Sequence, residues 1–433
     1  MADIVDQLGP DERRIAAEAM QAFDADDAAR VRDLVERHPI LRRLVHEPLG
    51  PFDSPAIVNV RSRAMLDALL DAGADINGRS RWWAGGFGIL DLAEPDVAAY
   101  AIERGATIDV NAAARLGFAD RLRQMLAKDP GLVHARGGDG QTPLHVARTV
   151  EIASLLLDAG ADIDARDVDH ESTPAQYAIG DRVDVVRYLV ARGCRIDVLL
   201  AAALGDVARA RQLLDSNPDV VRLRANGRWF PMQNPRAGGT IYQWTLGFHA
   251  SAHQVAHDRG HRDLWELLME RSPASVRVLE ASWVGDAATV RRFRSAGAVA
   301  ASAWTPEEQV LIAHAARNNR TDAVRLMLEC GLPADARGQH RATPLHWAAF
   351  HGNAEMAHAI LRFAPPLEAT DDDFSSTPVG WAIYGSEHGW NARTGDYAAV
   401  VMLLLQAGAA RPSSVSGSAE VRAVLQAHST RSV

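Results

Sequence analysis

The chain has 433 residues, and 46 basic against 55 acidic side chains give it a formal net charge of −9. Its hydrophobic content of 47% is that of a folded globular protein and excludes a disordered chain. The acidic excess disfavours a nucleic-acid partner, because such a partner requires a basic face. Cys194 and Cys330 are too few for a disulfide framework or a thiolate zinc site.

The sequence also argues against a membrane or secreted protein. The longest apolar run, 397–405, is far shorter than the roughly 20 residues that span a bilayer. The acidic N-terminus has neither the charged nor the apolar segment of a signal peptide. We therefore expect a cytoplasmic protein without a membrane partner, and we favour a monomer.

Two short motifs recur along the chain with a common period. The motif Thr142-Pro143-Leu144-His145 is followed 31 residues later by a related tetrapeptide at Thr173. The motif Thr343-Pro344-Leu345-His346 is followed 34 residues later by another at Thr377. A second motif, of which Gly160-Ala161-Asp162 is an example, ends each unit. The proline favours the first turn of a helix, and the glycine supplies the left-handed residue that ends one. A period near 33 with these two motifs resembles the ankyrin-repeat family.

The resemblance implies an all-α solenoid, in which helix-turn-helix units stack on one another and are joined by short β-turn fingers. In chain order, helix pairs are expected at 12–36, 53–72, 87–104, 110–128, 142–158, 173–192, 197–214, 250–270, 275–295, 306–329, 343–362 and 377–407, with a last helix at 418–428. The expected organisation is degenerate N-terminal repeats (1–104), central repeats (105–214), a long inserted finger loop (215–249), C-terminal repeats (250–412), and a capping helix with a tail (413–433).

Three stretches depart from the repeat pattern because they are long and rich in aromatic residues. They are 79–88, 215–249 and 385–395. Large aromatic side chains in exposed loops are unfavourable unless they fold onto something. Two interpretations stay open at this point: the loops carry a function, or they only cover the groove or fill irregular junctions between repeats.

In the ankyrin family two positions on each first helix face a concave groove, and the resemblance places a distinctive set of side chains there. Trp347 and Trp381 occupy the same repeat position 34 residues apart, so we expect an exposed aromatic wall. Aromatic surface with a few convergent polar groups is typical of a ligand or peptide site. Large groove residues that only tighten the packing are the alternative. The predicted binding residues are Trp283, His314, Arg317, His346, Trp347, Phe350, His351, Trp381, Tyr384, Trp390 and Trp244.

The sequence contains no recognised catalytic motif, such as a nucleophile elbow, a phosphate-binding loop or His-Glu-x-x-His. Acid–base chemistry would fall to four side chains, since imidazole titrates near neutral pH and a carboxylate can serve as its partner. These candidates are His314, His351, His388 and Glu280.

His249, His253 and His257 follow one another at four-residue intervals, which would place three imidazoles on one face of a helix, as in metal-binding helices. Alignment with the other repeats puts His253 and His257 at packed positions. Further ligands at suitable spacing are also lacking. Structural histidines are therefore favoured, and we expect no metal and no cofactor.

The favoured function is a binding module that recognises a protein segment or peptide in the concave groove of the C-terminal repeats. The alternative is a small-molecule-binding or acid–base catalytic protein, whose Trp- and His-lined pocket is closed by loops 228–249 and 385–394. A small ligand must be enclosed over most of its surface, whereas a peptide needs only an open groove. The position of the two loops therefore discriminates between the hypotheses.

Overall fold

A computed structural model describes residues 8–296 and 304–429. Within these ranges the chain is helical, and its β-structure is limited to two isolated bridges, Gly50–Ser54 and Arg224–Ser251. The α-helices are Pro10–Asp24, Ala28–Arg37, Ile40–Leu44, Arg63–Asp71, Ile89–Leu92, Pro95–Glu103, Val110–Leu116, Ala119–Lys128, Val150–Asp158, Pro174–Ala178, Val183–Ala191, Val198–Leu204, Val207–Ser216, Tyr242–Thr245, Ala252–Asp258, Arg262–Arg271, Ala274–Trp283, Ala287–Ser295, Pro306–Gln309, Leu311–Arg317, Thr321–Glu329, Pro344–Phe350, Ala354–Leu361, Pro378–His388, Tyr397–Gln406 and Ala419–Ser429. The expected all-α repeat fold is confirmed. None of these helices combines the length and apolarity needed to cross a bilayer.

The described residues pack as two compact units. The first unit takes the residues up to Leu200 together with Ala225–Phe248, and the second takes Ala201–Arg224 and the residues from His249 onward. Each unit has its own apolar core of small and branched side chains. Leu345 is fully buried in the core of the second unit, as its motif position predicts.

The histidine of the Thr-Pro-Leu-His motif ties one repeat to the next. The backbone N–H of Thr343 donates to Nδ1 of His346 (3.1 Å), which fixes the neutral tautomer with its proton on Nε2. That Nε2–H donates to the carbonyl oxygen of Ser376 in the following repeat (3.1 Å). His145 makes the equivalent contacts in the first unit. Burial lowers the pKa of both imidazoles to about 4.

The expected helix pair at 142–158 has lost its first helix. Residues 142–147 form turns only, and the one α-helix is Val150–Asp158. Thr142 precedes Val150 by eight residues, whereas Thr343 precedes Ala354 by eleven. The repeat is therefore too short to complete two turns before Thr149 caps the next helix.

The expected pair at 53–72 also has one α-helix, Arg63–Asp71. The 3₁₀ turns Pro51–Asp53 and Ala56–Asn59 stand in place of the first helix. Pro51 and Pro55 each lack a backbone donor, so a continuous helix cannot run through this stretch.

Candidate functional site

The second unit contains a cleft with an aromatic lining, which we call the aromatic cleft. Its volume is about 410 Å³. The lining residues come from helices Pro344–Phe350 and Pro378–His388, from the fingers that precede these helices, and from the loop that follows helix Pro378–His388. They are His340, Trp347, Phe350, Phe374, Ser376, Gly380, Trp381, Tyr384 and Trp390.

Trp347 and Trp381 form the floor of the aromatic cleft. Their rings meet edge to face, with centroids 5.0 Å apart and planes at 86°, and each ring also packs against Phe350. Only 4% of Trp347 and 6% of Trp381 is exposed. The expectation of an exposed tryptophan wall is therefore wrong, because His340, Phe374 and Trp390 cover the two indoles.

The two floor tryptophans differ at their indole nitrogens. Nε1 of Trp381 donates to Oδ2 of Asp371 (2.9 Å), which also accepts the backbone N–H of Ser376 (3.0 Å). Burial acts to raise the pKa of Asp371, but the hydrogen bonds from Trp381 and the finger backbone outweigh it and lower this pKa. Nε1 of Trp347 is buried without a hydrogen-bond partner among the described residues. The floor of the cleft thus contains one unused donor.

The rim of the aromatic cleft is exposed. Phe374 is 67% exposed, Trp390 62% and Tyr384 59%. Trp390 stacks on Trp347 with centroids 6.1 Å apart and planes at 26°. The guanidinium of Arg317 lies 5.6 Å from the ring centroid of Trp347 and 5.4 Å from that of Trp390, within cation–π distance of both. A large apolar surface with one nearby cation is therefore open to solvent.

The loop 389–395, which follows helix Pro378–His388, lies against the end of helix Pro344–Phe350 and so positions Trp390. A Cβ atom on Gly389 would come 2.5 Å from the carbonyl oxygen of Gly385 and 2.9 Å from that of Phe350. The hydroxyl of Tyr397 donates to the same carbonyl of Phe350 (3.0 Å). The helix extends to His388, beyond the expected start of the loop, and Trp390 is the residue of the loop that lines the cleft.

His346, His351 and His388 do not contribute free imidazoles to the cleft. His346 is fully buried, and both its ring nitrogens bond to the repeat backbone. Nε2 of His351 donates to the carbonyl of Arg317 (2.8 Å), and its Nδ1 accepts from Asn391 (3.0 Å). Burial lowers the pKa of His351. His388 is exposed at the end of its helix, beside Tyr384. The binding role predicted for His346 and the acid–base role predicted for His351 therefore find no support in their contacts.

Glu280 belongs to a buried polar group elsewhere in the second unit. Its fully buried carboxylate pairs with Arg224 and accepts from Nε2 of Gln254 (3.1 Å). Trp283 is 6% exposed, and the guanidinium of Arg320 lies 5.4 Å from its ring centroid. Neither side chain lines the aromatic cleft, so the expectation that both join one groove wall is wrong.

His314 is also buried, and its ring stacks on that of His249 with centroids 3.5 Å apart and planes at 21°. Burial is the largest cause of a lowered pKa in both: to about 4 for His249 and well below the ordinary value for His314. Two neutral imidazoles stacked in this way contribute to the packing of the second unit. His314 is not among the residues that line the cleft, contrary to expectation.

The three histidines at four-residue intervals do not share a helix face. His249 has φ of 58° and precedes helix Ala252–Asp258. Nε2 of the buried His253 bonds to Oγ of Ser272 (2.8 Å). His257 is exposed beside Asp258, so the packed position expected for it is wrong. The metal-binding interpretation of this triplet has no geometric basis.

Comparison with known proteins identifies the repeats. A family model of ankyrin repeats matches residues 110–200 and 252–371, in three copies. Residues 110–200 and 252–371 are therefore ankyrin repeats. A segment of 64 residues is 44% identical to the serine/threonine-protein kinase VIK of Arabidopsis thaliana, and one of 125 residues is 32% identical to ankyrin repeat and SAM domain-containing protein 6 of Mus musculus. These segments make up 14% and 27% of this chain but only 14% of either relative.

Most of the long inserted finger loop, Ala225–Phe248, belongs to the first unit. The backbone N–H groups of Gln233 and Asn234 donate to the carboxylate of Glu171 (2.9 and 2.8 Å). Trp244 is 64% exposed and contacts Phe248 edge to face. The aromatic cleft is formed within the second unit, and its closure by loop 228–249, with Trp244 as a binding residue, stays a prediction.

Sequence reasoning missed four lining residues, which are His340, Phe374, Ser376 and Gly380. The first three lie in fingers, whereas the family pattern points to helix positions. Nδ1 of His340 bonds to the carboxylate of Asp373, next to Phe374 in the chain. A large apolar residue at the tip of an ankyrin finger, as at Phe374, is the signal that could have indicated this site.

Proposed function

We propose that the aromatic cleft binds a segment of a partner protein, and that a bulky apolar side chain of this segment enters between Trp390 and Phe374. Ankyrin repeats serve generally as protein-interaction modules. The observation that carries the proposal is an exposed aromatic rim around a buried aromatic floor. Such apolar surface marks interaction sites, and aromatic residues that become desolvated on binding supply most of the affinity.

The few polar groups at the cleft favour an acceptor on the ligand. Nε1 of Trp347 is a donor without a partner, and Arg317 adds a positive charge over the same ring. A peptide backbone carries a carbonyl oxygen next to every side chain, so an apolar anchor can bring an acceptor with it. This indole N–H is already buried and unsatisfied in the free protein, so an acceptor that reaches it would contribute about 1–3 kcal/mol that a hydrocarbon ligand cannot supply.

The open rim favours a protein segment over a small molecule. Binding sites typically bury at least about 70% of a small ligand, yet Phe374, Tyr384 and Trp390 are each more than half exposed. The lining imidazole is His340, and its Nδ1 already bonds to Asp373. Acid–base catalysis therefore has less support than binding.

Selection of random peptides displayed on phage tests the proposal with the full chain as bait. We expect enriched peptides to share a Trp, Phe or Leu anchor. Trp390→Ala and Phe374→Ala should each weaken the binding of a selected synthetic peptide by about tenfold or more. Trp244→Ala is the matched control, since it removes an equally exposed tryptophan from the first unit. Undiminished binding to the Trp390→Ala/Phe374→Ala double variant would overturn the proposal.

A further inference from the structure

Three side chains that can bind metal converge in the first unit. One ligand atom from each of Asp139, Asp169 and His170 lies within 4.8 Å of the other two. Nε2 of His170 is 3.9 Å from Oδ2 of Asp139 and 3.6 Å from Oδ2 of Asp169, too far for hydrogen bonds. All three residues are more than nine-tenths buried. The atoms that face each other are two carboxylate oxygens and one ring nitrogen.

The tautomer of His170 makes this nitrogen an acceptor too. Nδ1 lies 2.7 Å from the carbonyl oxygen of Gly239. A carbonyl oxygen can only accept, so the proton of the neutral ring is on Nδ1 and the lone pair is on Nε2. Metal-binding histidines are commonly held this way, with the second ring nitrogen donating to a backbone carbonyl.

Few hydrogen bonds from the protein offset the cost of burying the carboxylates of Asp139 and Asp169. Burial raises the pKa of Asp139, and the nearby indole N–H of Trp82 acts against this shift. Oδ1 of Asp139 and Nε1 of Trp82 are nevertheless both buried without a hydrogen bond of good geometry in the part of the chain that the structure describes. Oδ1 of Asp169 accepts the N–H of Gly238 (3.2 Å), which leaves Oδ2 facing His170. Buried acceptors without a donor or cation are strongly unfavourable.

The equivalent pair of fingers in the second unit provides an internal comparison. The N–H of Val168 donates to the carbonyl of Asp139 (2.8 Å), and the N–H of Asp372 donates to that of His340 (3.0 Å). Asp139 thus corresponds to His340, and Asp169 to Asp373. In the second unit the imidazole and carboxylate bond directly to each other. In the first unit two carboxylates occupy these places, and they can be held together only by a shared proton or by a cation between them.

Two of the unusual loops enclose this cluster. Gly85 has φ of 148°, and a Cβ atom there would lie 2.2 Å from the carbonyl oxygen of Gly137, so loop 79–88 packs directly on the finger of Asp139. The inserted loop contributes the bonds from Gly238 and to Gly239. The cluster is therefore closed off by segments that ordinary repeats lack.

We propose that Asp139, Asp169 and His170 bind one divalent transition-metal ion, which fastens two successive fingers to the inserted loop. Carboxylate oxygen and neutral imidazole nitrogen are suitable ligands for Zn²⁺ and Mn²⁺. Ligand atoms at about 2.1 Å from a tetrahedral ion are about 3.4 Å apart, so small side-chain rotations close the observed distances. The ion neutralises the carboxylates and uses the lone pair on His170.

The test uses the untagged full-length chain, stripped with EDTA and titrated with ZnCl₂ and with MnCl₂ in a calorimeter. We expect one ion per chain by calorimetry and elemental analysis, and a melting temperature that rises with added ion. Asp139→Asn should weaken binding more than about tenfold and abolish the thermal shift. Its melting temperature without metal should not fall, because the amide can donate to Asp169.

Asp373→Asn is the matched control, since it changes the equivalent finger of the second unit and should leave ion binding intact. Asp169→Asn gives an independent second variant, with folding of each variant checked by circular dichroism. Failure of the wild type to bind either ion would overturn the proposal, and so would wild-type affinity for the ion in both first-unit variants. In that case a proton would hold the cluster together.

Discussion

The indole of Trp390 stacks on that of Trp347, although the two residues differ completely in exposure. Trp347 is 4% exposed and belongs to the repeat core, whereas Trp390 is 62% exposed and comes from an inserted loop. The same ring contact therefore joins a residue that the fold requires to one that the fold does not require. Substitution of each residue separates stability from recognition.

Trp347→Ala should lower the free energy of unfolding by about 3–5 kcal/mol, because it empties a buried site between two repeats. Trp390→Ala should change it by less than about 1 kcal/mol, as is usual for exposed side chains. Urea unfolding followed by circular dichroism measures both values. Hydrogen exchange should show the loosening caused by Trp347→Ala mainly in 306–407, since repeats couple to their neighbours. Equal losses in the two variants would contradict this assignment of roles.

The buried ion pair between Arg224 and Glu280 is expected to be essential for folding of the second unit. The side chain of Glu280 is 1% exposed and that of Arg224 is 13% exposed. Glu280→Ala leaves the guanidinium buried without its carboxylate, which typically costs about 3–5 kcal/mol. Glu329→Ala breaks the exposed pair with Arg294 and should cost less than about 1 kcal/mol. Urea melts of the two variants test this ranking, and a similar cost for both would refute it.

The repeat pattern predicted most helices because the information in it is local. The Thr-Pro-Leu-His motif specifies a helix start together with the histidine that bonds across to the next repeat, as His346 does. The same logic correctly buried Leu345. The helix prediction failed at 142–158 because the motif indicates only where a helix can start. Too few residues lie between Thr142 and the helix that begins at Val150 for a first helix to form.

The candidate sites depended on residues that the pattern does not relate to one another. The burial of Trp347 requires Trp390 and His340, which come from a loop and a finger. Asp139 and His170 lie in different fingers, and acidic residues are common at finger tips, so no spacing rule brings them together. The four-residue spacing of the histidines pointed to a metal site that includes His249, but the positive φ of His249 places this residue outside the helix that carries His253.

Stability should fall between pH 6.5 and pH 4 because of the motif histidines. Burial lowers the folded-state pKa of His145 and His346 to about 4, whereas the unfolded chain binds each proton near pH 6.5. Their contribution is complete above pH 6.5 and is lost as the pH falls to the folded pKa, by up to about 1.4 kcal/mol per pH unit for each histidine. Urea titrations at several pH values measure this slope. His346→Gln should reduce it, whereas His358→Gln, at an exposed position, should not.

Gly389→Ala should disturb the aromatic cleft through the backbone alone. The φ of −72° at Gly389 suits alanine, so any effect arises from the new Cβ, which would lie 2.5 Å from the carbonyl oxygen of Gly385. Relief of this clash requires the loop to move, and Trp390 moves with it. We expect a loss of about 1–3 kcal/mol in stability and weaker binding of the selected peptide.

Gly227→Ala is the control for the glycine substitution, since no atom lies within 4 Å of a Cβ atom at Gly227. The change should leave stability and peptide binding unaltered. A second comparison links the loop to recognition: Gly389→Ala should weaken the peptide no further when Trp390→Ala is already present, because both act through the same indole. Additive losses in the double variant would mean that the loop contributes to binding by a route other than Trp390.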